Sequence, residues 1–150
     1  MQILKASIDD AEEILELQKA AYQSEAAIYM IDDFEPLKQT IEEIKEQFKT
    51  NVFLKAVEGG RIVGTVRAYE KNGTCHIGRL AVLPKMQNKG IGTELMNMIE
   101  SHFKVHRFEL FTGTKSLKNI RLYNKLGYSI YKKEPDGCGG IEIVFMEKTS

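Results

Sequence analysis

The chain has 150 residues with 21 basic and 21 acidic side chains, so its formal net charge is zero; 43% of residues are hydrophobic and 28% charged. This is one domain of ordinary globular composition, long enough to bury a core. No global field draws it to nucleic acid or an anionic membrane, no apolar run reaches the length of a membrane span, and the opening MQILKASIDD lacks the apolar core of a signal peptide. Cys75 and Cys138 make no disulfide framework, and with His76, His102 and His106 they show no metal-ligand spacing. A reducing, cytoplasmic setting and no structural metal are expected.

Read in order, residues 1–5 form a short strand. Ser7 with Asp10 three residues on has the form of a helix N-cap, and acidic residues crowd the turn that follows, where the helix dipole favours them. Ala11, Ile14, Leu15 and Ala21 set an apolar stripe, which predicts a first helix to about Tyr22. Residues 23–35 break the pattern and are expected as a loop or a bent pair of helices carrying Tyr29, Met30, Asp32, Asp33 and Phe34. Pro36 suits the first position of a second helix, with Leu37, Ile41, Ile44 and Phe48 on one face. Strands 51–58 and 61–70 flank Gly59-Gly60, a two-residue hairpin turn, and Asn72-Gly73 is a second such turn leading into strand 75–83. Pro84 ends that strand. After the next helix come a strand at 106–112, a short helix at 116–125, and strands 128–133 and 141–147 around the turn-rich 135–140. The order βααβββαβαββ specifies one α+β domain over residues 1–150, with a mixed sheet of about seven strands and about four helices, because hairpins and crossover helices both occur.

Residues 75–100, CHIGRLAVLPKMQNKGIGTELMNMIE, carry the strongest signal. Ile91, Leu95, Met98 and Ile99 recur at helical spacing, predicting a helix of about four turns that begins at Gly92. A glycine turn feeding a helix start exposes free backbone N–H groups beside the positive end of the helix dipole, a place for a phosphate or pyrophosphate. A Cβ at Gly90 or Gly92 would hold that anion off. The turn is neither a Walker A loop nor a G-x-G-x-x-G fingerprint. It is Q-x-x-G-x-G behind L-A-V-x-P, and there it resembles the acetyl-coenzyme A signature of the GCN5-related N-acetyltransferase (GNAT) family. The predicted element order is similar to that family's over essentially the whole chain. The resemblance implies a single-domain acyl-coenzyme A N-acyltransferase fold whose central strands, from Cys75 and from His106, splay apart. The cofactor's pyrophosphate would rest on the amides of Gln87, Asn88, Lys89, Gly90, Ile91, Gly92 and Thr93, and its pantetheine arm would pair with Leu80, Ala81 and Val82.

Asn119 to Tyr128, NIRLYNKLGY, resembles the family's N-x-x-x-x-Y-x-K-x-G-(F/Y) segment with the tyrosine one place closer. Asn119 and Tyr123 are four apart and share a helix face. The resemblance implies that Asn119 contacts the cofactor arm and that the Tyr123 hydroxyl is the general acid beside the thioester sulfur. The chemistry agrees: a thiol titrates near about 8.5 and tyrosine near about 10, so the phenol keeps its proton at neutral pH and can give it to the leaving thiolate. The oxyanion needs a preorganised donor, most simply a backbone N–H of the splayed strand near Leu80 to Val82. An amine near about pKa 10.4 needs a base, or a water chain to one, before it can attack. His76 stands four residues before Leu80, where histone-type members of the family carry a glutamate. Strand alternation puts His76, Gly78 and Leu80 on one side, and Glu70 and the Asp32/Asp33 pair are rival bases. Among the basic residues flanking the two motifs, Lys89 or Lys125 would meet the cofactor phosphates and the rest are solvated helix faces.

The expected activity is therefore acetyl transfer from acetyl-coenzyme A to a primary amine by direct attack in a ternary complex. No covalent enzyme intermediate is expected, since Cys75 and Cys138 lack an activating partner in the motifs. A catalytically silent acyl-coenzyme A binding module, which keeps residues 87–93 but does not need Tyr123, is the alternative; a binder of another phosphate ligand is a third. The acceptor, a small-molecule or protein amine, is expected between residues 23–35 and 135–140. Their Glu25, Asp32, Asp33, Glu35 and Asp136 point to a cationic amine. Neither nucleic acid nor membrane is an expected partner, and the resemblance brings homodimers as a common state.

Overall fold

The computed structural model describes residues 1–30, 35–138 and 140–149. Seven strands make one sheet: β1 (Gln2–Lys5), β2 (Val52–Glu58), β3 (Arg61–Lys71), β4 (Thr74–Val82), β5 (Arg107–Gly113), β6 (Ser129–Cys138) and β7 (Ile141–Thr149), in the spatial order β1-β2-β3-β4-β5-β7-β6. The α-helices are α1 (Ala11–Tyr29), α2 (Glu35–Lys38), α3 (Ile41–Gln47), α4 (Ile91–Ser101) and α5 (Leu117–Lys125). The fold is thus the expected mixed α+β one with seven strands, and with five helices rather than four. Hairpins make the neighbouring strands antiparallel, whereas β4 and β5, joined through α4, run parallel. Gly59 and Gly60, at φ 61° and 75°, and Asn72 and Gly73, at 52° and 80°, have the two positive φ angles that a two-residue hairpin requires.

Each face of the sheet carries its own core. On one, Ile91, Leu95, Met96 and Ile99 of α4 and Tyr123 of α5 pack on Val66, Ala68, Cys75 and Ile77. On the other, Ala11, Ile14, Leu15 and Leu17 of α1 and Ile44 of α3 pack on Phe53, Ile62 and Ala81. Gly64 of β3 lies so close beneath α4 that an added Cβ would stand 3.0 Å from Leu95 Cδ1, which fixes how near the helix approaches. Among the described residues no helix is long and apolar enough to cross a membrane.

β6 runs on to Cys138, through residues expected as a turn, and three other boundaries differ from the sequence reading for local reasons. The first helix continues past Tyr22 to Tyr29 and stops where Met30 turns left-handed, at φ 55°. Its last two turns present Tyr22, Glu25 and Tyr29, three and four apart, so the stripe there is polar and aromatic and an apolar test misses it. The second helix divides into α2 and α3, because Thr40 caps α3 reciprocally: Glu43 N–H donates to Thr40 Oγ1 at 3.2 Å and Thr40 N–H to Glu43 Oε1 at 2.8 Å. α4 begins at Ile91, one residue before Gly92, with Gly90 as its left-handed N-cap at φ 83°.

Candidate active site

The site grows from two interruptions of the sheet. β4 and β5 pair only over Thr74–His76 with Arg107–Glu109. Beyond that, β4 stays with β3 as far as Val82 and β5 stays with β7 as far as Gly113, so the two central strands part and leave a wedge. The expected splay is present. The second interruption is a bulge. β3 pairs Thr65 with Ala81 and Arg67 with Gly78, so Arg79 and Leu80 together oppose Val66. Arg79 takes φ 54° to make the bulge.

The bulge reverses strand alternation. Before it, Cys75 and Ile77 face α4; after it, Leu80 and Val82 pack toward that core while Ala81 joins the α1 face. This corrects the expectation that His76 shares a side with Leu80. His76 stacks on Tyr69 across β3, with ring centroids 5.0 Å apart, and lines neither of the cavities described next. Glu70 lines neither as well, and Asp32 and Asp33 lie outside the described residues.

Two adjoining cavities occupy the wedge. The larger, about 770 Å³, runs from the glycine turn along β4 to α5, and a second of about 220 Å³ lies deeper. Of the expected cofactor residues, Leu80, Ala81, Val82, Gln87, Asn88, Gly90, Ile91, Gly92, Thr93, Asn119 and Lys125 line the larger. Lys89 does not; its place among the basic lining residues is taken by Lys118 and Arg121, which project from α5 beside Lys125. The amides of Gly90, Ile91, Gly92 and Thr93 donate to no described residue, and no side chain caps the helix, so the positive end of α4 opens on this cavity. Gln87 braces the turn, donating from Nε2 to the Val82 carbonyl at 3.1 Å and accepting from Lys118 Nζ at 3.3 Å.

Tyr123 lines the second cavity rather than the first, 7% exposed, and among the described residues nothing hydrogen-bonds its hydroxyl. Burial, with Tyr22 and Glu25 nearby, pushes its pKa far above the ordinary phenol value. Tyr22, Glu25, Leu80, Ser116 and Asn119 line both cavities and form the wall between them. Tyr22 donates from its hydroxyl to the Leu80 carbonyl at 2.8 Å, which pins the bulge; burial raises its own pKa to about 12.

The wall carries an ordered set of polar contacts. Ser116 Oγ donates to Glu25 Oε2 at 2.5 Å, and Asn119 Nδ2 donates to Glu25 Oε1 at 3.2 Å. Ser116 has one proton, so Tyr29 is the donor in its 2.8 Å contact with Ser116 Oγ, and Tyr29 in turn accepts from Lys115 N–H at 3.1 Å. Gly113 makes room: a Cβ there would stand 1.9 Å from the Tyr29 hydroxyl. Glu25 is the one carboxylate among the described residues lining either cavity. Sequence reasoning had it only as part of an acidic wall and had no role for Tyr22, Ser116, Arg67 or Arg79. The 22-25-29 spacing was the available signal for the first of these, and the arginines gave none.

The family model described as the acetyltransferase (GNAT) family matches residues 11–128. The chain belongs to that family. S-(2-succino)cysteine N-acetyltransferase of Bacillus subtilis (strain 168) is 28% identical over 151 residues, covering 93% of this chain and 90% of that protein. The N-terminal acetyltransferase B complex catalytic subunit NAA20 of Arabidopsis thaliana is also 28% identical, over 78 residues, covering 49% of this chain and 45% of that one. Among solved structures, PaiA N-acetyltransferase from Thermoplasma acidophilum in complex with coenzyme A superposes with a TM-score of 0.84 at 20% identity, covering 99% of this chain and 98% of that one. The structural match carries the GNAT fold over 99% of this chain.

Proposed function

We propose that this GNAT protein transfers the acetyl group of acetyl-coenzyme A to a primary amine by direct attack in a ternary complex. The observation that carries the reading is the meeting of two cavities at one wall: an anion cradle opens the first, and a largely buried tyrosine, its hydroxyl without a partner among the described residues, lines the second. The uncapped amides of Gly90 to Thr93 hold the pyrophosphate, with Lys118, Arg121 and Lys125 supplying charge. The pantetheine arm runs along Leu80, Ala81 and Val82, on the lip that β5 leaves unpaired. A volume of about 770 Å³ is within the span of about 300–1,000 Å³ usual for ligand pockets.

The acetyl group then points past Leu80 into the second cavity, where the amine waits. The amine nitrogen attacks the thioester carbonyl carbon, a backbone N–H near the β4 bulge stabilises the oxyanion, and collapse breaks the C–S bond. Tyr123, kept protonated by its raised pKa, hydrogen-bonds the departing sulfur and passes it a proton in step with its own re-protonation. The proton lost by the amine passes to the Glu25 carboxylate, directly or through water, and from there restores Tyr123. The products are the acetamide and coenzyme A thiol. Glu25 takes the place that sequence reasoning offered to His76, since it lines both cavities and His76 lines neither.

The test is release of coenzyme A thiol from acetyl-coenzyme A across a panel of primary amines, beside calorimetry with coenzyme A alone. Thiol release that requires an amine, with micromolar binding heat, is the expected result. Heat without release on any amine would make the protein a silent acyl-coenzyme A binder, and no heat at millimolar coenzyme A would remove the reading altogether.

A further inference from the structure

The second cavity contains two arginines that acetyl transfer does not call for. Arg67 on β3 and Arg79 at the β4 bulge both line it, and neither lines the cofactor cavity, where the glycine-turn amides and the α5 cations already serve phosphate. No ion pair among the described residues involves either arginine. We propose that Arg67 and Arg79 bind the carboxylate of the acceptor, which is a small amino acid or amino-acid conjugate whose amine faces Glu25.

Arg67 is held by a row of side-chain amides. Its Nη1 donates to Gln47 Oε1 on α3. That oxygen also accepts from Gln39 Nε2 at 2.7 Å, and Gln39 Oε1 accepts from Gln18 Nε2 at 2.8 Å. Gln18 and Gln39 are 1% and 6% exposed, so three neutral amides in a row position the guanidinium. A carboxylate in place of Gln47 would have fixed it as well and cancelled its charge. The sequence has an amide there, so the cation is oriented and, among the described residues, no carboxylate pairs with it. Burial, and then the like charge of Arg79, push Arg67 down to about 10, the state a bound anion would relieve.

The neighbouring positions keep the space clear. Gly78 pairs with Arg67, and a Cβ on Gly78 would come no nearer than 3.9 Å to Arg67 Nε, so the guanidinium lies over an open stretch of strand. Arg79 holds a left-handed φ of 54°, a conformation that costs a residue with a Cβ about 1–2 kcal/mol, and it lines the cavity from that position. Glu25, Arg67 and Arg79 line the cavity together with Tyr22, so a carboxylate and an ammonium of one ligand would both meet opposite charge there. A volume of about 220 Å³, below the usual ligand-pocket range, suits an amino acid and not an engulfed oligosaccharide. The cationic amine expected from the acidic wall residues is thereby replaced by a zwitterion.

This inference rests on the acetyl-transfer reading, so its test has two independent readouts. The first is thiol release from acetyl-coenzyme A with each common L-amino acid, and with S-carboxyalkyl cysteines, beside the carboxamide of the same compound. The second needs no turnover: titration of glutarate, and of its dimethyl ester, into protein loaded with coenzyme A. The acids are expected to exceed their amides in kcat/KM by about tenfold to a hundredfold, as charge-assisted bidentate pairs to arginine give. Glutarate is expected to bind where the ester does not. Arg79→Asn, which suits a left-handed φ, keeps the fold and coenzyme A affinity but brings the acid-to-amide ratio toward one. Arg67→Lys keeps the charge and loses only part of it. Acids and amides turned over equally, or a ratio untouched in Arg79→Asn, overturns the carboxylate site and leaves acetyl transfer standing. Glutarate binding without thiol release from any amine does the reverse.

Discussion

At the scale of single residues, the site depends on groups whose protons are held against water. Tyr123 is buried and its pKa is raised, so it stays a phenol well past neutrality. Tyr123→Phe is expected to lower kcat by about 10²-fold or more while leaving coenzyme A affinity within twofold, measured by thiol release and calorimetry. Full turnover in that variant would remove the acid. His76→Ala, by contrast, is expected to leave kcat unchanged, because the residue faces Tyr69 on the other side of the bulge. Gly113→Ala meets Tyr29 at 1.9 Å, so the phenol must swing away from Ser116 and Lys115. The Glu25 carboxylate would then lose its ordered neighbour, and a fall in kcat with little change in coenzyme A affinity is the outcome to look for. Cys75 is fully buried, and burial raises its thiol to about 12. It is expected to resist thiol reagents in the native protein, as peptide mapping after labelling would reveal.

At the scale of elements, the start of α4 separates packing from binding. Gly90 has φ 83° with nothing within 4 Å of a Cβ, so Gly90→Ala brings strain of about 1–2 kcal/mol without a clash. Gly92 has an ordinary helical backbone, and a Cβ there meets Leu122 Cδ2 at 3.6 Å and Leu80 Cδ2 at 3.8 Å, both ordinary contacts. Gly92→Ala is therefore expected to keep or raise the melting temperature, since alanine is favoured over glycine in a helix by about 1 kcal/mol. It should nonetheless weaken coenzyme A binding several-fold by filling the approach to the amides. A melting temperature that falls together with affinity would mean that Gly92 is there for packing alone. On the opposite face, Thr40→Ala removes the cap that divides α2 from α3 and is expected to cost about 1 kcal/mol in denaturant unfolding.

At the scale of the whole molecule, burial of proton-bearing groups sets the response to alkali. Cys75 moves from 9.0 to about 12 and Tyr22 from 10.0 to about 12, and Tyr123 and Tyr128 shift upward as well. Each folded-state value lies above the unfolded one, so each group contributes stability that is fully present below its unfolded pKa. That contribution is lost as pH rises toward the folded value. Melting temperature is expected to hold to about pH 9 and then to fall steeply through pH 12; a curve flat to pH 11 would contradict the burial assigned to these four groups.

Local chemistry alone determined most of the frame. The element order, the two hairpin turns, the seven strands, the anion-ready turn at Gly90 and the helix carrying Asn119 and Tyr123 all follow from spacing and turn residues, because period and φ preference act within a few residues. What escaped was whatever required two distant segments to be placed side by side. One bulged residue at Arg79 exchanged the faces of β4 and took His76 out of the site, and a sequence carries no mark of such an insertion. Glu25 and Tyr29 read as a broken pattern, and Tyr22 as a mere helix end, because their partners are Leu80 and Ser116, far along the chain. Arg67 drew no notice in the sequence, because its amide support and the absence of a paired carboxylate among the described residues depend on segments far apart in the chain. Turns and periods are properties of neighbours in the chain, whereas compensation of a buried charge belongs to neighbours in space, and only the folded sheet decides which those are.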